Sequence, residues 1–127
     1  MDGIDRDDGI RKTVRWMARL LRVQFAGAIY HVTGRGNERR RIFKGDKDRE
    51  RFLEQLAEAR ALHAVRVYLV CLMPNHFHLL VETPTENLSA FMARFLTAYV
   101  VYYNRRHGRV GHLTQGRYKA QLVEGND

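Results

Sequence analysis

Two histidines separated by a single residue are the side chains of this sequence best suited to chemistry. His76 and His78 lie in the segment Pro-Asn-His-Phe-His-Leu-Leu-Val-Glu, residues 74–82. In an extended strand both would project from one face, about 6–7 Å apart, while Phe77 and Leu79 project from the other. Neutral imidazoles at this spacing can bind one divalent ion, which can polarise a phosphodiester oxygen. Two unconnected histidines on a half-exposed strand are the alternative, and a bare His-x-His pair favours that alternative.

The sequence leaves the third metal ligand open. Glu82 would be about 13 Å from His78 along an extended strand, too far to reach the same ion. Cys71 is the only cysteine, so there is no thiolate pair to complete a zinc site. His31 could approach if its strand neighbours the strand of His76, although a structural role is the more common one for a lone strand histidine.

Basic residues are concentrated in two segments. The chain has 22 Lys and Arg against 14 Asp and Glu, a formal net charge of +8. Residues 35–44 contain five basic side chains and one acid, and residues 105–119 contain five basic side chains and no acid. These segments account for the whole excess, which indicates a polyanionic partner such as nucleic acid or an anionic membrane surface. A solvated basic surface is the alternative interpretation.

The positions of hydrophobic and turn-forming residues predict six elements that would carry these side chains. Alternating or β-rich runs predict strands, and apolar residues spaced three and four apart predict helices. The predicted strands are residues 26–32, 65–73, 76–82 and 118–123; the predicted helices are 47–63, with Asp46 as a candidate cap, and a second one from a cap at Thr83 or Thr85 to about 106. Residues 33–37 are predicted to form a loop.

The order β-α-β-β-α-β is that of an α+β, ferredoxin-like split βαβ domain, with helices on one face of an antiparallel sheet. The 127 residues suit one such domain. No apolar run is long enough to cross a membrane, and the acidic N-terminus is unlike a signal peptide, so we expect a cytoplasmic protein with no membrane partner. Residues 1–16 show no apolar periodicity and are expected to be a disordered extension.

Six blocks of sequence, in order, resemble the signatures of the IS200-like Y1 transposases, and most closely those of the REP-associated tyrosine transposases. The resemblance runs from about Met17 to the end of the chain. The blocks are Ala-Gly-Ala-Ile-Tyr-His-Val-Thr-Gly-Arg-Gly-Asn (26–37), Ile-Phe (42–43), Asp-Arg with Phe-Leu (48–53), Met-Pro-Asn-His-Phe-His (73–78), Tyr-Asn-Arg-Arg-His (103–107) and Gly-His-Leu-Thr-Gln-Gly-Arg-Tyr-Lys (111–119).

This resemblance implies an HUH endonuclease that nicks and rejoins single-stranded DNA, usually beside an imperfect hairpin, in DNA transposition. His76 and His78 would hold Mg²⁺ or Mn²⁺ on the scissile phosphate, and a tyrosine would attack it. The expected partner is single-stranded or hairpin DNA, and monomer and homodimer both stay open. The residues expected to contact DNA are Arg35, Asn37, Arg39, Arg40, Arg41, Arg105, Arg106, Arg117 and Lys119.

The nucleophilic tyrosine of such proteins lies on a helix after the segment that corresponds to residues 117–119, and the resemblance implies that its position would lie beyond Asp127. We therefore expect residues 17–127 to form the transposase domain without that helix, and we assign no catalytic tyrosine. Tyr99, Tyr102 and Tyr103 fall on the apolar stripe of the second predicted helix, which favours a packing role. The alternative function is a catalytically inactive DNA-binding module or a decayed remnant.

Overall fold

The computed structural model describes residues 27–123 of the chain. The extension expected at residues 1–16 and the expected end of the domain at Asp127 both lie outside the described part. Residues 27–123 form four strands and two helices, with a short 3-10 turn after the first strand. In chain order they are β1 (Ala28–Arg35), the 3-10 turn (Asn37–Arg39), α1 (Asp46–His63), β2 (Arg66–Met73), β3 (His76–Thr83), α2 (Leu88–His107) and β4 (Lys119–Val123).

The strands form one antiparallel sheet in the order β2-β3-β1-β4. β2 and β3 are joined by the tight turn at Pro74 and Asn75, whereas β1 reaches β2 through α1, which crosses over β3. This is the split βαβ arrangement, so the predicted α+β ferredoxin-like fold is confirmed. Within residues 27–123, no helix is long and apolar enough to span a membrane.

Both helices pack on one face of the sheet around an aromatic core. Phe52 of α1 is fully buried, and its ring lies 5.1 Å from that of Phe77 on β3 and 4.7 Å from that of Phe95 on α2. The alternation of buried and half-buried residues along β1 and β3 follows the two-residue period of a strand with one covered face. The second face of the sheet carries no helix among the described residues; we call it the open face.

β1 is longer than predicted at its C-terminal end. The sequence predicts a loop from residue 33 because of Gly34, yet Gly34 pairs with Phe77, and Arg35 pairs with His76. A Cβ atom on Gly34 would lie 2.4 Å from two carbons of the Phe77 ring. The glycine therefore allows an aromatic ring to cover the strand, and does not mark a turn.

The helix starts also differ from the predicted caps. α1 begins at Asp46 itself, after Gly45, and no side chain caps it. α2 begins at Leu88, and Asn87, rather than Thr83 or Thr85, occupies the cap position. The Asn87 amide donates to the backbone carbonyl of His63 at 2.8 Å. This bond ties the start of α2 to the end of α1, a contact between distant residues that local patterns do not show.

Candidate metal and nucleic-acid site

His76 and His78 project from the open face of the sheet. Their ring centroids are 5.0 Å apart and the ring planes are nearly perpendicular. Both side chains are half-buried, whereas Phe77 and Leu79 between and after them are buried in the core. The alternation expected from the sequence is therefore formed, and two imidazoles share one small area of the surface.

The turn between β2 and β3 orients the first of these histidines. His76 Nδ1 lies 2.8 Å from Asn75 Oδ1, and the Asn75 amide nitrogen faces the carbonyl of Arg39 at 3.5 Å. Since an amide oxygen can only accept, the Nδ1 atom of His76 carries the proton and donates it. The lone pair of His76 is then on Nε2, the nitrogen that remains available to an ion.

The second histidine contacts β1. His78 Nδ1 lies 3.0 Å from His31 Nε2 and 3.4 Å from the hydroxyl of Thr33. Burial, together with the neighbouring rings of His76 and His31, lowers the pKa of His78 below its ordinary value of 6.5. His78 is therefore neutral at pH 7, which is the form that binds metals.

The other residues considered as ligands do not complete a metal-binding group. Across residues 27–123, no three His, Cys, Asp or Glu side chains are arranged to hold an ion. Glu82 is at the far end of β3, where it accepts a hydrogen bond from the Tyr68 hydroxyl. Cys71 is exposed and pairs with His78 across the β2–β3 ladder, a juxtaposition that sequence spacing gives no reason to expect.

Three loops meet at the end of the sheet where β3 begins, beside His76. The amide of Gly36 donates to the Asn75 carbonyl at 2.9 Å, and that of Ile42 donates to the Pro74 carbonyl at 2.8 Å. The amide of Asn37 donates to the Leu113 carbonyl at 2.8 Å. Backbone bonds thus fix the basic loop after β1 near the histidines. It carries the predicted DNA contacts Asn37, Arg39, Arg40 and Arg41, of which the arginines are exposed.

The last strand adds basic residues from the other side. Lys119 pairs with Thr33, and Thr33 pairs with His78, so these three residues stand in line across β4, β1 and β3. Strands are spaced about 4.8 Å apart, which puts Lys119 about 10 Å from His78 on the open face. Arg35, at the end of β1, donates to the side chain of Gln115 at 3.0 Å. Arg117 is exposed just before β4.

Arg105 and Arg106 are placed apart from this group, in the helical layer. Arg106 Nε lies 3.6 Å from the carboxylate of the buried Asp48. Both arginines line an open groove of about 700 Å³ between α1 and α2, together with Arg51 and Gln55. The residues expected to contact DNA are therefore divided between two sides of the domain: α2 carries Arg105 and Arg106 in the helical layer, and β4 carries Lys119 beside the histidine strand.

Tyrosine hydroxyls of the second helix are engaged on the helical side of the sheet. Tyr99 and Tyr103 donate to the carbonyls of Ile42 and Arg41, so they hold the basic loop in place. Burial raises the pKa of both above its ordinary value, and burial with the hydrogen bond to Asp48 raises the pKa of Tyr102 to about 12. Hydroxyls with raised pKa values are poor nucleophiles. The implied position of the family's nucleophilic tyrosine, beyond Asp127, is outside the described residues and stays a prediction.

Tyr68 is a tyrosine that the sequence patterns do not single out. It is half-exposed on β2 and its hydroxyl donates to Glu82, so it lies on the same face as the histidines. Glu82, which accepts this bond, is four residues from His78 and so about 13 Å from it along β3. A bulge in the β2–β3 pairing between Val67 and Leu69 displaces Tyr68, and local sequence patterns give no sign of such a bulge.

The fold and the site together define an α+β domain with two adjacent histidines on an open sheet face, bordered by basic loops. The sequence profile of the family described as "Transposase IS200 like" matches residues 24–127. The chain therefore belongs to the IS200-like transposase family. A search of curated protein sequences found no match.

Two solved structures share the fold. One is a REP-associated tyrosine transposase bound to a REP hairpin, with 11% identity and a TM-score of 0.66 over 82% of this chain and 61% of that one. The other is a protein assigned as a transposase from Deinococcus radiodurans R1, with 16% identity and a TM-score of 0.62 over 76% of this chain and 79% of that one. This chain thus spans less than two thirds of the hairpin-bound protein.

Proposed function

We propose that this protein binds single-stranded or hairpin DNA on the open face of its sheet, and that His76 and His78 hold a divalent metal ion against a phosphate of that DNA. The observation that carries the proposal is the pair of imidazoles on one face, beside a loop rich in arginine. Membership of the IS200-like transposase family supports DNA transposition as the process. The solved relative that is bound to a REP hairpin supports hairpin DNA as the partner.

The donor atoms of the site fit a divalent ion that is only partly held by protein. His76 Nε2 is left with its lone pair because its other nitrogen donates to Asn75. Mn²⁺ accepts imidazole nitrogen, whereas Mg²⁺ prefers oxygen, so we propose that Mn²⁺ binds this pair more tightly than Mg²⁺ does. The remaining positions would be filled by water and by phosphate oxygens. When bound, the ion would polarise a phosphodiester oxygen and stabilise the charge that develops during attack on phosphorus.

The protein's own contribution is to place and hold the strand. The arginines at 39–41 and Lys119 would contact phosphates on either side of the histidines, and such contacts position a strand without reading its sequence. Asn37 can contact a base edge or a phosphate because its amide both donates and accepts. The neutral state of His78 at pH 7 keeps a positive charge from competing with the ion, since the pKa of this imidazole is lowered.

A variant that lacks both histidines should lose metal binding and keep most of its affinity for DNA. We expect His76→Ala combined with His78→Ala to abolish Mn²⁺ binding, measured by calorimetry, while changing the affinity for a labelled single-stranded oligonucleotide less than about threefold, because phosphate contacts dominate that affinity. Equal loss of both would contradict the proposed separation of roles.

The salt dependence of binding tests the basic loop. Arg39→Gln with Arg40→Gln removes two phosphate contacts and should reduce the slope of log affinity against log salt by about 1.4 for single-stranded DNA. Arg60→Gln is the matched control, because Arg60 is exposed in the last turn of α1, about 21 Å along the helix from its start beside the loop. A slope that falls as much for the control would refute a local DNA site.

A second function, DNA binding without cleavage, is favoured by the positions of the tyrosines. Tyr99 and Tyr103 are on the helical side of the sheet, Tyr30 and Tyr118 pack in or against the core, and the hydroxyl of Tyr68 donates to Glu82. Under this second proposal, a tyrosine nucleophile for cleavage would come from outside residues 27–123. Incubation of the chain with Mn²⁺ and a labelled hairpin, followed by denaturing electrophoresis, separates the two functions: a covalent protein–DNA band supports nicking, and binding without that band supports the second function.

A further inference from the structure

His31 lies beside the metal-ligand pair, and neither the family resemblance nor the proposed function assigns it a role. It lies on the open face of β1, half-buried, and its Nε2 atom is 3.0 Å from His78 Nδ1. Among the described residues, the only other side-chain atom within hydrogen-bond distance of His78 Nδ1 is the Thr33 hydroxyl oxygen, at the longer distance of 3.4 Å. His31 is thus the main neighbour of the nitrogen of His78 that faces the protein.

The two rings meet end to end. Their planes are inclined by only 7°, and their centroids are 5.2 Å apart. The centroids, at 5.2 Å, are farther apart than the two nitrogens, at 3.0 Å, so each ring extends away from the other behind its nitrogen and the nitrogens point almost directly at each other. This is the geometry of a linear N–H···N hydrogen bond.

The same geometry argues against one ion shared by these two nitrogens. Two ligands of one ion direct their lone pairs to a common point beside the line that joins the nitrogens. If both rings were turned toward a shared ion, their centroids would be closer together than 5.2 Å while the nitrogens stayed 3.0 Å apart. The nearly coplanar, end-on arrangement of His31 and His78 therefore indicates a hydrogen bond, with one nitrogen donating and the other accepting.

We propose that His31 is a positioning residue whose Nε2 accepts the Nδ1–H of His78, so that the lone pair of His78 is on Nε2 and is directed away from β1. The proposal rests on the proposed metal-binding function of His76 and His78. It makes the two histidines equivalent, because Asn75 accepts from His76 Nδ1 in the same way. Histidines that ligate metals almost always donate their other nitrogen to an acceptor, usually a carboxylate, a backbone carbonyl or water, and this bond fixes the tautomer and the ring orientation; here the acceptor would be an imidazole nitrogen.

The first test requires no metal. Long-range ¹H–¹⁵N spectra of the imidazole nitrogens distinguish a histidine protonated on Nδ1 from one protonated on Nε2. In the metal-free wild-type protein at pH 8 we expect His78 to carry its proton on Nδ1, and in His31→Leu we expect a mixture of both forms. A wild-type His78 protonated on Nε2 would overturn the proposal.

The second test measures Mn²⁺ affinity by calorimetry in three variants that retain the wild-type circular dichroism spectrum. We expect His31→Leu to weaken binding about tenfold, a typical effect of losing such a partner. His31→Gln supplies an amide oxygen as acceptor and should stay within about threefold of wild type, and the control Thr33→Val, at the longer distance, should stay within about twofold. Wild-type affinity in His31→Leu, or equal loss in the leucine and glutamine variants, would overturn the proposal.

The two tests separate this inference from the proposed function. If the wild-type protein binds no Mn²⁺, the metal-binding function fails, and the tautomer of His78 still decides whether His31 orients it. If the wild-type protein binds Mn²⁺ but His78 is protonated on Nε2, the metal site stands and the role of His31 fails.

Discussion

Asp48→Asn is the substitution with the largest structural consequence that we can foresee outside the aromatic core. Asp48 lies in the first turn of α1 and is 1% exposed. Its carboxylate accepts hydrogen bonds from the Tyr102 hydroxyl at 2.7 Å and from the Lys44 amide at 2.8 Å, and it lies 2.9 Å from His107 Nε2. One buried group therefore joins the basic loop, α1 and the end of α2.

The size of the expected destabilisation follows from the number of hydrogen-bond donors that lose their acceptor. Asparagine keeps one oxygen, so the donors on the Oδ2 side, Lys44 and His107, would face an NH₂ group instead. A hydrogen bond to a charged group contributes about 1.5–3 kcal/mol, and we expect Asp48→Asn to lower the free energy of unfolding by about 3 kcal/mol. Asp46→Asn is the matched control: its side chain is 93% exposed and pairs with Arg49, a type of contact that contributes about 0–1 kcal/mol.

Urea denaturation followed by circular dichroism at pH 7 measures the free energy of unfolding of both variants. Equal slopes of this free energy against urea concentration would indicate an unchanged denatured state.

Burial alone raises the pKa of Asp48, but the hydrogen bonds from Tyr102, Lys44 and His107 outweigh it, so the pKa lies below 3.8. The stabilisation is therefore complete above the unfolded pKa of about 3.9 and is lost as the pH falls through the lower folded pKa. The difference between wild type and Asp48→Asn should persist from pH 7 to about 5 and shrink below about 4. If Asp48→Asn were no more destabilising than Asp46→Asn, the reasoning would be refuted.

Three further substitutions test the packing around the site. Gly34→Ala should destabilise the domain by about 1–3 kcal/mol in the same urea assay, because its Cβ would overlap the Phe77 ring; no measurable loss would contradict this. Tyr102→Phe should lower the free energy of unfolding by about 1.5–3 kcal/mol, because it removes a hydrogen bond to a carboxylate, and by less in the Asp48→Asn background, where Oδ1 still accepts the bond but the charge is gone; an equal loss in both backgrounds would show that the charge adds nothing to this bond. Phe52→Ala should lower the free energy of unfolding by about 3–5 kcal/mol, and the melting temperature with it, because four aromatic rings surround Phe52 and its removal leaves a cavity among them. A loss below about 1 kcal/mol would mean that the surrounding side chains fill this cavity.

Much of the fold could be predicted because its elements have strong local patterns. The alternation in residues 76–82 and the apolar stripe of α1 each follow the period of one element, and both match the structure within a few residues. The prediction for the end of β1 is wrong because Gly34, by its residue type, also suits a turn. The physical reason for this glycine, the approach of Phe77 from a strand more than 40 residues away, is a tertiary contact.

The candidate site could be predicted only in part. His76 and His78 share a face because of their spacing, and this is visible in the sequence. The DNA-binding residues remain predictions, but the structure places Arg106 beside Asp48 on the helical side, away from the histidines. Net charge per segment carries no information about the face to which a helix or strand will direct each side chain.

The sequence by itself determined the order of the elements, the shared face of the two histidines and the basic character of two loops, because each depends on residue type and short-range periodicity. Only the tertiary structure decided that His31 meets His78 end to end and that the basic loop lies beside His76. These arrangements depend on the pairing of β1 with β3 and on backbone bonds between loops that are distant in sequence. The register of a sheet is set by the packing of its whole buried face, and not by any single segment.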